Sequence, residues 1–116
     1  MKKFILFSKE TVSNLPENYS LIIDRKLENR DWDFFLSTTA GGHHVQSSLW
    51  AQLKSAQGWY PTRMIVYKGN EIVAGAQMLS RRVALFVTVS YLTKGPVLSD
   101  PNDFSMAKVV AERIIW

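Results

Sequence analysis

Arg63-Met64-Ile65-Val66-Tyr67-Lys68-Gly69-Asn70-Glu71-Ile72-Val73-Ala74-Gly75-Ala76-Gln77-Met78-Leu79-Ser80 decides the fold. Arg63 to Tyr67 is an apolar, β-branched run. Lys68-Gly69-Asn70-Glu71 is a tight turn, because glycine and asparagine tolerate the backbone angles that a hairpin connection needs. Ile72 to Ser80 must then return antiparallel. Val83 to Leu92, rich in Val, Phe, Thr and Tyr, follows as a third strand. A three-stranded antiparallel meander therefore forms the centre of the chain.

The flanks read as helices around that centre. Ser20 to Asp24 is a first strand, preceded by the turn residues Pro16 and Asn18. Leu27 to Leu36 has helical spacing, with Leu27, Trp32, Phe35 and Leu36 on one side, and Ser37 to Gly42 ends it. A second helix runs from Ser47 to Gln57, capped by Ser47 or Ser48, with Leu49, Leu53 and Ala56 on one face. Gly58 closes it and Pro61 prevents its resumption. Thr93 to Pro101 is a loop. A last helix starts at Asn102 or Asp103, with Phe104, Ala107, Ala111 and Ile114 as its apolar stripe. The order is strand, helix, helix, meander, helix: an α+β chain with a mostly antiparallel sheet flanked by helices.

Bulk properties narrow the function. The 116 residues suit one small domain, and with no cysteine neither a disulfide framework nor a thiolate metal site is possible. That composition fits a reducing compartment, and a cytoplasmic location is expected. No apolar run approaches the ~20 residues of a membrane span. The start, Met1-Lys2-Lys3-Phe4-Ile5-Leu6-Phe7, is too short for a signal core of roughly 7–15 residues and reads as a strand or leader. The net charge of +4 permits an anionic partner without requiring one.

The chemistry-bearing residues are sparse. His43 and His44 follow a Gly-Gly turn and read as surface loop; zinc would need three or four ligands at helical or hairpin spacing. Ser47 and Ser48 lie near them without a strained nucleophile turn. There is no GxGxxG and no phosphate-binding loop with its lysine. Asp24, Asp31, Asp33, Glu71 and Asp100 are the candidate bases, and none stands out from a solvated surface.

Four segments in fixed order carry more. They are Gly42-His43-His44-Val45-Gln46-Ser47-Ser48-Leu49-Trp50-Ala51-Gln52-Leu53-Lys54, then Gly58-Trp59, then Ala74-Gly75-Ala76-Gln77-Met78-Leu79, then Lys94-Gly95-Pro96-Val97. Together they resemble the opening of the Fem family of peptidoglycan-bridge aminoacyltransferases, over about residues 30 to 115. The resemblance implies a half-module similar to the GNAT (acyl-CoA N-acyltransferase) fold, with residues 1–116 as the N-terminal part of a first such module. It implies transfer of an amino acid from aminoacyl-tRNA, as co-substrate and with no bound cofactor, to the stem-peptide lysine of a lipid-linked or UDP-linked muropeptide. The place of action would be the inner face of the plasma membrane, with peripheral membrane contact.

The family likeness makes Lys54 a substrate-binding residue that contacts the precursor diphosphate, an ammonium suited to phosphate oxygens. Trp50 and Gln46 are weaker candidates: read from the residues alone, Trp50 is a helix-packing aromatic and Gln46 a helix-start residue. The catalytic residue is not identified. A CoA-dependent acetyltransferase and a non-catalytic nucleotide-sugar or lipid-headgroup module remain alternatives, although Pro96 and Pro101 remove amides that a CoA pyrophosphate loop would use. The apolar end Arg113-Ile114-Ile115-Trp116 suggests truncation, and hence an open sheet edge prone to self-association.

Overall fold

The computed structural model describes residues 17–114. The Met1-to-Phe7 segment, Pro16, Ile115 and Trp116 lie outside the described residues, as does the side chain of Ile114. The hairpin forms as the turn residues require. Strands β2 (Tyr60–Lys68) and β3 (Glu71–Ala84) pair antiparallel from Lys68↔Glu71 to Tyr60↔Ser80, and Gly69 takes φ +60° at the turn. Strand β1 (Tyr19–Asp24) pairs with the other edge of β2, and β4 (Val87–Tyr91) with the far edge of β3. The sheet order is β1-β2-β3-β4, antiparallel throughout.

The strands differ from the expected ones at one end. β3 does not stop at Ser80 but continues through Arg81-Arg82 to Ala84, and the chain reverses at Leu85-Phe86. Two apolar residues carry no turn signature, so the sequence hides this reversal behind the more conspicuous arginine pair. The expected Thr93–Pro101 loop also contains a strand. β5 (Val97–Leu98) rejoins β3 opposite Gly75 and Ala74, on the same edge as β4. β4 and β5 are thus one strand interrupted by a bulge.

Successive side chains alternate across the sheet and build two apolar layers. One face carries Leu21, Met64, Val66, Ala74, Ala76 and Met78 against α3 (Phe104–Ile114). The other carries Ile65 and Val97 against Trp32, Phe35 and Leu36 of α1 (Arg30–Ser37). The result is an α+β sandwich with helices on both faces of an antiparallel sheet.

α1 buries the expected Trp32, Phe35 and Leu36, whereas α2 and α3 turn different faces inward than periodicity suggested. α1 starts at Arg30 because the Asn29 side chain accepts the Trp32 amide at 3.0 Å, and Leu27 stays outside it, about half exposed. α2 (Ser48–Ser55) is capped by Ser47, whose hydroxyl accepts the Trp50 amide at 3.2 Å. Its Leu49 and Leu53 face solvent, and the small residues Ser48 and Ala51 pack inward. Close approach of the helix start to a polar region of the sheet selects that face. In α3, Asp103 accepts the Met106 amide as cap; Phe104 is exposed, and the buried stripe is Met106, Val109 and Val110.

One glycine is set by packing. A Cβ on Gly75 would stand 2.6 Å from the Trp32 ring and 2.7 Å from the Met64 carbonyl, so the fully buried indole lies on bare backbone. Gly75→Ala should destabilise the fold by about 1–3 kcal/mol through overpacking, read as a lower urea midpoint with an unchanged slope.

Candidate functional site

Three polar residues form a row across adjacent strands beneath α2. Asp24 on β1 stands opposite Arg63 on β2, and Arg63 opposite Gln77 on β3. Arg63 is fully buried, yet every guanidinium N–H has a partner. Its Nε donates to Gln77 Oε1 at 2.8 Å; Nη1 donates to Asp24 Oδ2 at 2.9 Å and to the Lys26 carbonyl; Nη2 reaches the Leu27 carbonyl and Ser48 Oγ, each at 3.3 Å. Burial pulls the Arg63 guanidinium below its ordinary range, opposed by the hydrogen bond and charge of Asp24 and by the charge of Asp33. Burial pushes Asp24 up, but hydrogen bonds from the Asn29 amide group, the Lys26 backbone and Arg63 outweigh it and hold the carboxyl below the usual carboxylate value.

The row reaches both helix starts. Ser48 Oγ accepts the Asn29 amide at 2.9 Å, and Asp33 Oδ1 accepts the Ser48 amide at 2.8 Å. Gln77 Nε2 donates to the Ser47 carbonyl at 2.9 Å. The β1–β3 row and the first turns of α1 and α2 are therefore one hydrogen-bonded unit.

Gln46 completes it from the short 3-10 helix His44–Gln46. Where β4 swings away from β3, the backbone of Gln77 lacks a strand neighbour on that edge. The Gln46 carboxamide supplies one: its Oε1 accepts the Gln77 amide at 2.6 Å, and its Nε2 donates to the carbonyls of Gln77 at 2.9 Å and Thr93 at 2.8 Å. The Trp32 indole donates to the Gln46 carbonyl at 2.6 Å. A Cβ on Gly95 would meet Gln46 Oε1 and Leu92 at 3.2 Å, so the bulge closes tightly on the inserted amide. Gln46 is thus a fully buried surrogate for a strand residue, with its amide engaged internally.

Above this floor lies a groove of about 110 Å³ whose walls include Trp50, Lys54, Leu79, Tyr91 and Thr93. Lys54 follows Trp50 by one helical turn, and its Nζ stands 5.2 Å from the ring centroid, within cation–π range. Lys54 makes no ion pair among the described residues. The far wall is stiffened by an edge-on Trp59–Tyr91 contact at 5.0 Å, and Gly58, at φ +88°, provides the left-handed turn that places Trp59 there. Among the described residues no carboxylate lines the groove. It offers a cation and aromatic walls, which suit binding an anion.

The remaining candidates are placed as follows. His43 and His44 stack at 4.4 Å on the loop, and His44 meets the Trp50 edge at 5.6 Å. His43 Nδ1 accepts the Val45 amide at 3.3 Å, and desolvation followed by the positive neighbours His44 and Lys94 lowers its proton affinity. Among the described residues no cluster of three or more His, Cys, Asp or Glu could hold a metal. Two of the carboxylates read as surface residues are structural instead. Asp24 is buried against Arg63, and Asp33 holds the start of α2; Asp31, Glu71 and Asp100 are exposed. The Arg63 row was missed in sequence. Its only trace is that Asp24, Arg63 and Gln77 adjoin apolar runs of their strands, Leu21-Ile22-Ile23, Met64-Ile65-Val66 and Met78-Leu79.

Comparison with known proteins bears on the whole arrangement. The model of the FemAB family matches residues 27–114. A lipid II:glycine glycyltransferase of Staphylococcus aureus (strain MRSA252) is 32% identical over 77 residues, covering 66% of this chain and 18% of that protein. The protein of the same name from Staphylococcus aureus (strain bovine RF122 / ET3-1) gives the same identity and coverage, 32% over 77 residues, 66% and 18%. A crystal structure of FemX superposes with a TM-score of 0.65 at 26% identity, covering 81% of this chain and 24% of that one. The chain thus spans less than a fifth of the length of the curated relatives it matches, 18%. Among the described residues no helix is long and apolar enough to cross a membrane.

The ion pair sets a pH dependence. Asp24 has its proton affinity lowered on folding, so its contribution is present above the unfolded carboxylate value, near ~4, and is lost as pH falls through the lower folded value. The urea midpoint should therefore drop on acidification below about pH 4. Asp24→Ala strands the buried guanidinium and should cost about 3–5 kcal/mol at neutral pH. The paired replacement Asp24→Leu, Arg63→Met should recover much of that loss.

Proposed function

The chain belongs to the FemAB family, and from that premise we propose that it is the acceptor-binding front of an aminoacyltransferase that extends the stem peptide of a peptidoglycan precursor. The acceptor is the stem-peptide lysine amine of a muropeptide, lipid-linked by preference because the relatives are named for lipid II and glycine. The donor is an aminoacyl-tRNA, and the work is done at the cytoplasmic face of the membrane. The fold is the first part of a GNAT-like module.

The observation that carries this reading is the position of Lys54. Its ammonium sits beside Trp50 at the mouth of a groove without carboxylates, on a helix anchored to the sheet by the Arg63 row. We assign it the precursor diphosphate, with Trp50 walling the same groove. Gln46 acts through its amide bonds, holding the groove floor rather than touching substrate. The tRNA ester is already activated, so positioning supplies much of what the reaction needs. Attack by the free amine on that ester forms the amide and releases the tRNA ribose hydroxyl, while the amine proton leaves to an acceptor outside this groove.

The coenzyme-A alternative is disfavoured by the same geometry. Backbone amides that could cradle a pyrophosphate between β4 and β5 are replaced by Pro96 and by the Gln46 carboxamide, which fills the opening.

Calorimetric titration with UDP-linked muropeptide tests the assignment. Lys54→Ala should weaken binding by about tenfold or more, as loss of a charge-assisted phosphate contact of ~1.5–3 kcal/mol implies. Trp50→Ala should weaken it less, and far-ultraviolet dichroism should stay unchanged. Equal affinity of Lys54→Ala and the parent protein would return Lys54 to the solvated surface.

A further inference from the structure

The end of the β3–β4 hairpin has no place in the groove, yet it is the most exposed apolar feature of the sheet. β2 starts at Tyr60 opposite Ser80, so beyond that point, among the described residues, β3 has only β4 beside it. Every residue from Arg81 to Ser90 is exposed. Leu85 and Phe86, at the reversal, are 72% and 81% exposed; Val83, Val87 and Val89 are exposed behind them. A projecting two-stranded ribbon of this composition is poorly suited to water alone.

Charge says what covers it. Between Glu71 and Asp100 the chain has no acidic residue. Arg81 and Arg82 stand where the ribbon leaves the sheet and, as strand neighbours, point to opposite faces. The Arg81 guanidinium lies 6.0 Å from the Trp59 ring centroid. The ribbon is thus an apolar tip above a cationic and aromatic collar. Leu85 is three positions on from Arg82, about 10 Å of strand, comparable to the ~5–10 Å depth of the headgroup–acyl boundary. We propose that the Leu85-Phe86 tip inserts into an anionic lipid bilayer surface, with Arg81 and Arg82 at the phosphates. A second copy fits less well: pairing along the outer edge of β4, which has no partner strand among the described residues, would bury backbone and leave the tip in water. The inference does not depend on the role of Lys54, and holds for a lipid-linked or a UDP-linked acceptor.

Vesicle flotation tests it. The protein should float with phosphatidylcholine vesicles containing phosphatidylglycerol, weakly with phosphatidylcholine alone, and should be released by salt. Leu85→Ser, Phe86→Ser should lose more than about tenfold of the binding, and so should Arg81→Gln, Arg82→Gln, given the attraction of each basic residue to an anionic surface. All four positions are exposed, so the fold should persist; binding of UDP-linked muropeptide by the Leu85→Ser, Phe86→Ser protein should match the parent. In Phe86→Trp, an added emission blue shift and quenching by brominated acyl chains should appear on vesicle addition. A parent protein that stays with the dense fraction, a Leu85→Ser, Phe86→Ser protein that floats as well as the parent, or no quenching in Phe86→Trp would overturn the proposal. If Leu85→Ser, Phe86→Ser instead turns an oligomer into a monomer with flotation unchanged, the tip belongs to a second copy and the bilayer assignment fails.

Discussion

The Arg63–Asp24 pair is the constraint on which the other parts rest. A guanidinium with no solvent access is tolerable only if its charge is matched and all five N–H bonds are made. Meeting that requirement fixes more than two residues. It needs Asp24 opposite on β1, Gln77 opposite on β3, the Lys26 and Leu27 carbonyls on the chain leaving β1, and Ser48 at the start of α2. The partners come from separate stretches of chain: residues 24–27, Ser48 and Gln77. The same pair that would be replaceable by hydrophobic residues for stability therefore specifies where α1 and α2 begin relative to the sheet.

Gln46 extends that logic to the sheet edge. An interrupted strand leaves backbone groups of β3 without partners, and buried backbone groups without partners are costly. One carboxamide has the donor and acceptor of a peptide group and occupies the vacancy. The consequence is functional geometry: β4 and β5 can diverge around the bulge without opening the core, and the divergence makes the groove between Tyr91, Thr93 and α2. Lys54 and Trp50 stand over it because Ser47, Ser48 and Gln46, at the other end of the same short segment, are tied down.

What was legible in the sequence follows from range of interaction. The Lys68–Glu71 hairpin was readable because its turn and both strands are local. The caps at Ser47 and Asp103 were readable for the same reason. The inward faces of α2 and α3 were not: each helix offers more than one apolar stripe, and the choice depends on what the sheet presents. Small residues of α2 face the polar row, which leaves Leu49 and Leu53 outside. The Leu85-Phe86 reversal was hidden because nothing in two apolar residues signals a turn. The role of Arg63 was not legible because its partners lie up to 39 residues away in sequence. Of the candidate site, Lys54 and Trp50 were reached only through the order of motifs, since a lysine one turn after a tryptophan is common on any helix.

The motifs themselves divide in the structure. Gln46, Ser47, Gly75 and Gly95 serve the architecture: an inserted amide, a cap, a seat for Trp32, and a close approach at the bulge. Trp50 and Lys54 differ, because their side chains face a groove and, among the described residues, no carboxylate lines it. Motif order in this chain is therefore mainly a record of how a sheet with an interrupted edge strand is held together. That explains why fold and family can be read securely from a segment that is 18% of its relatives' length. The proposed binding role rests on a much smaller set of side chains, Trp50 and Lys54, which line the groove.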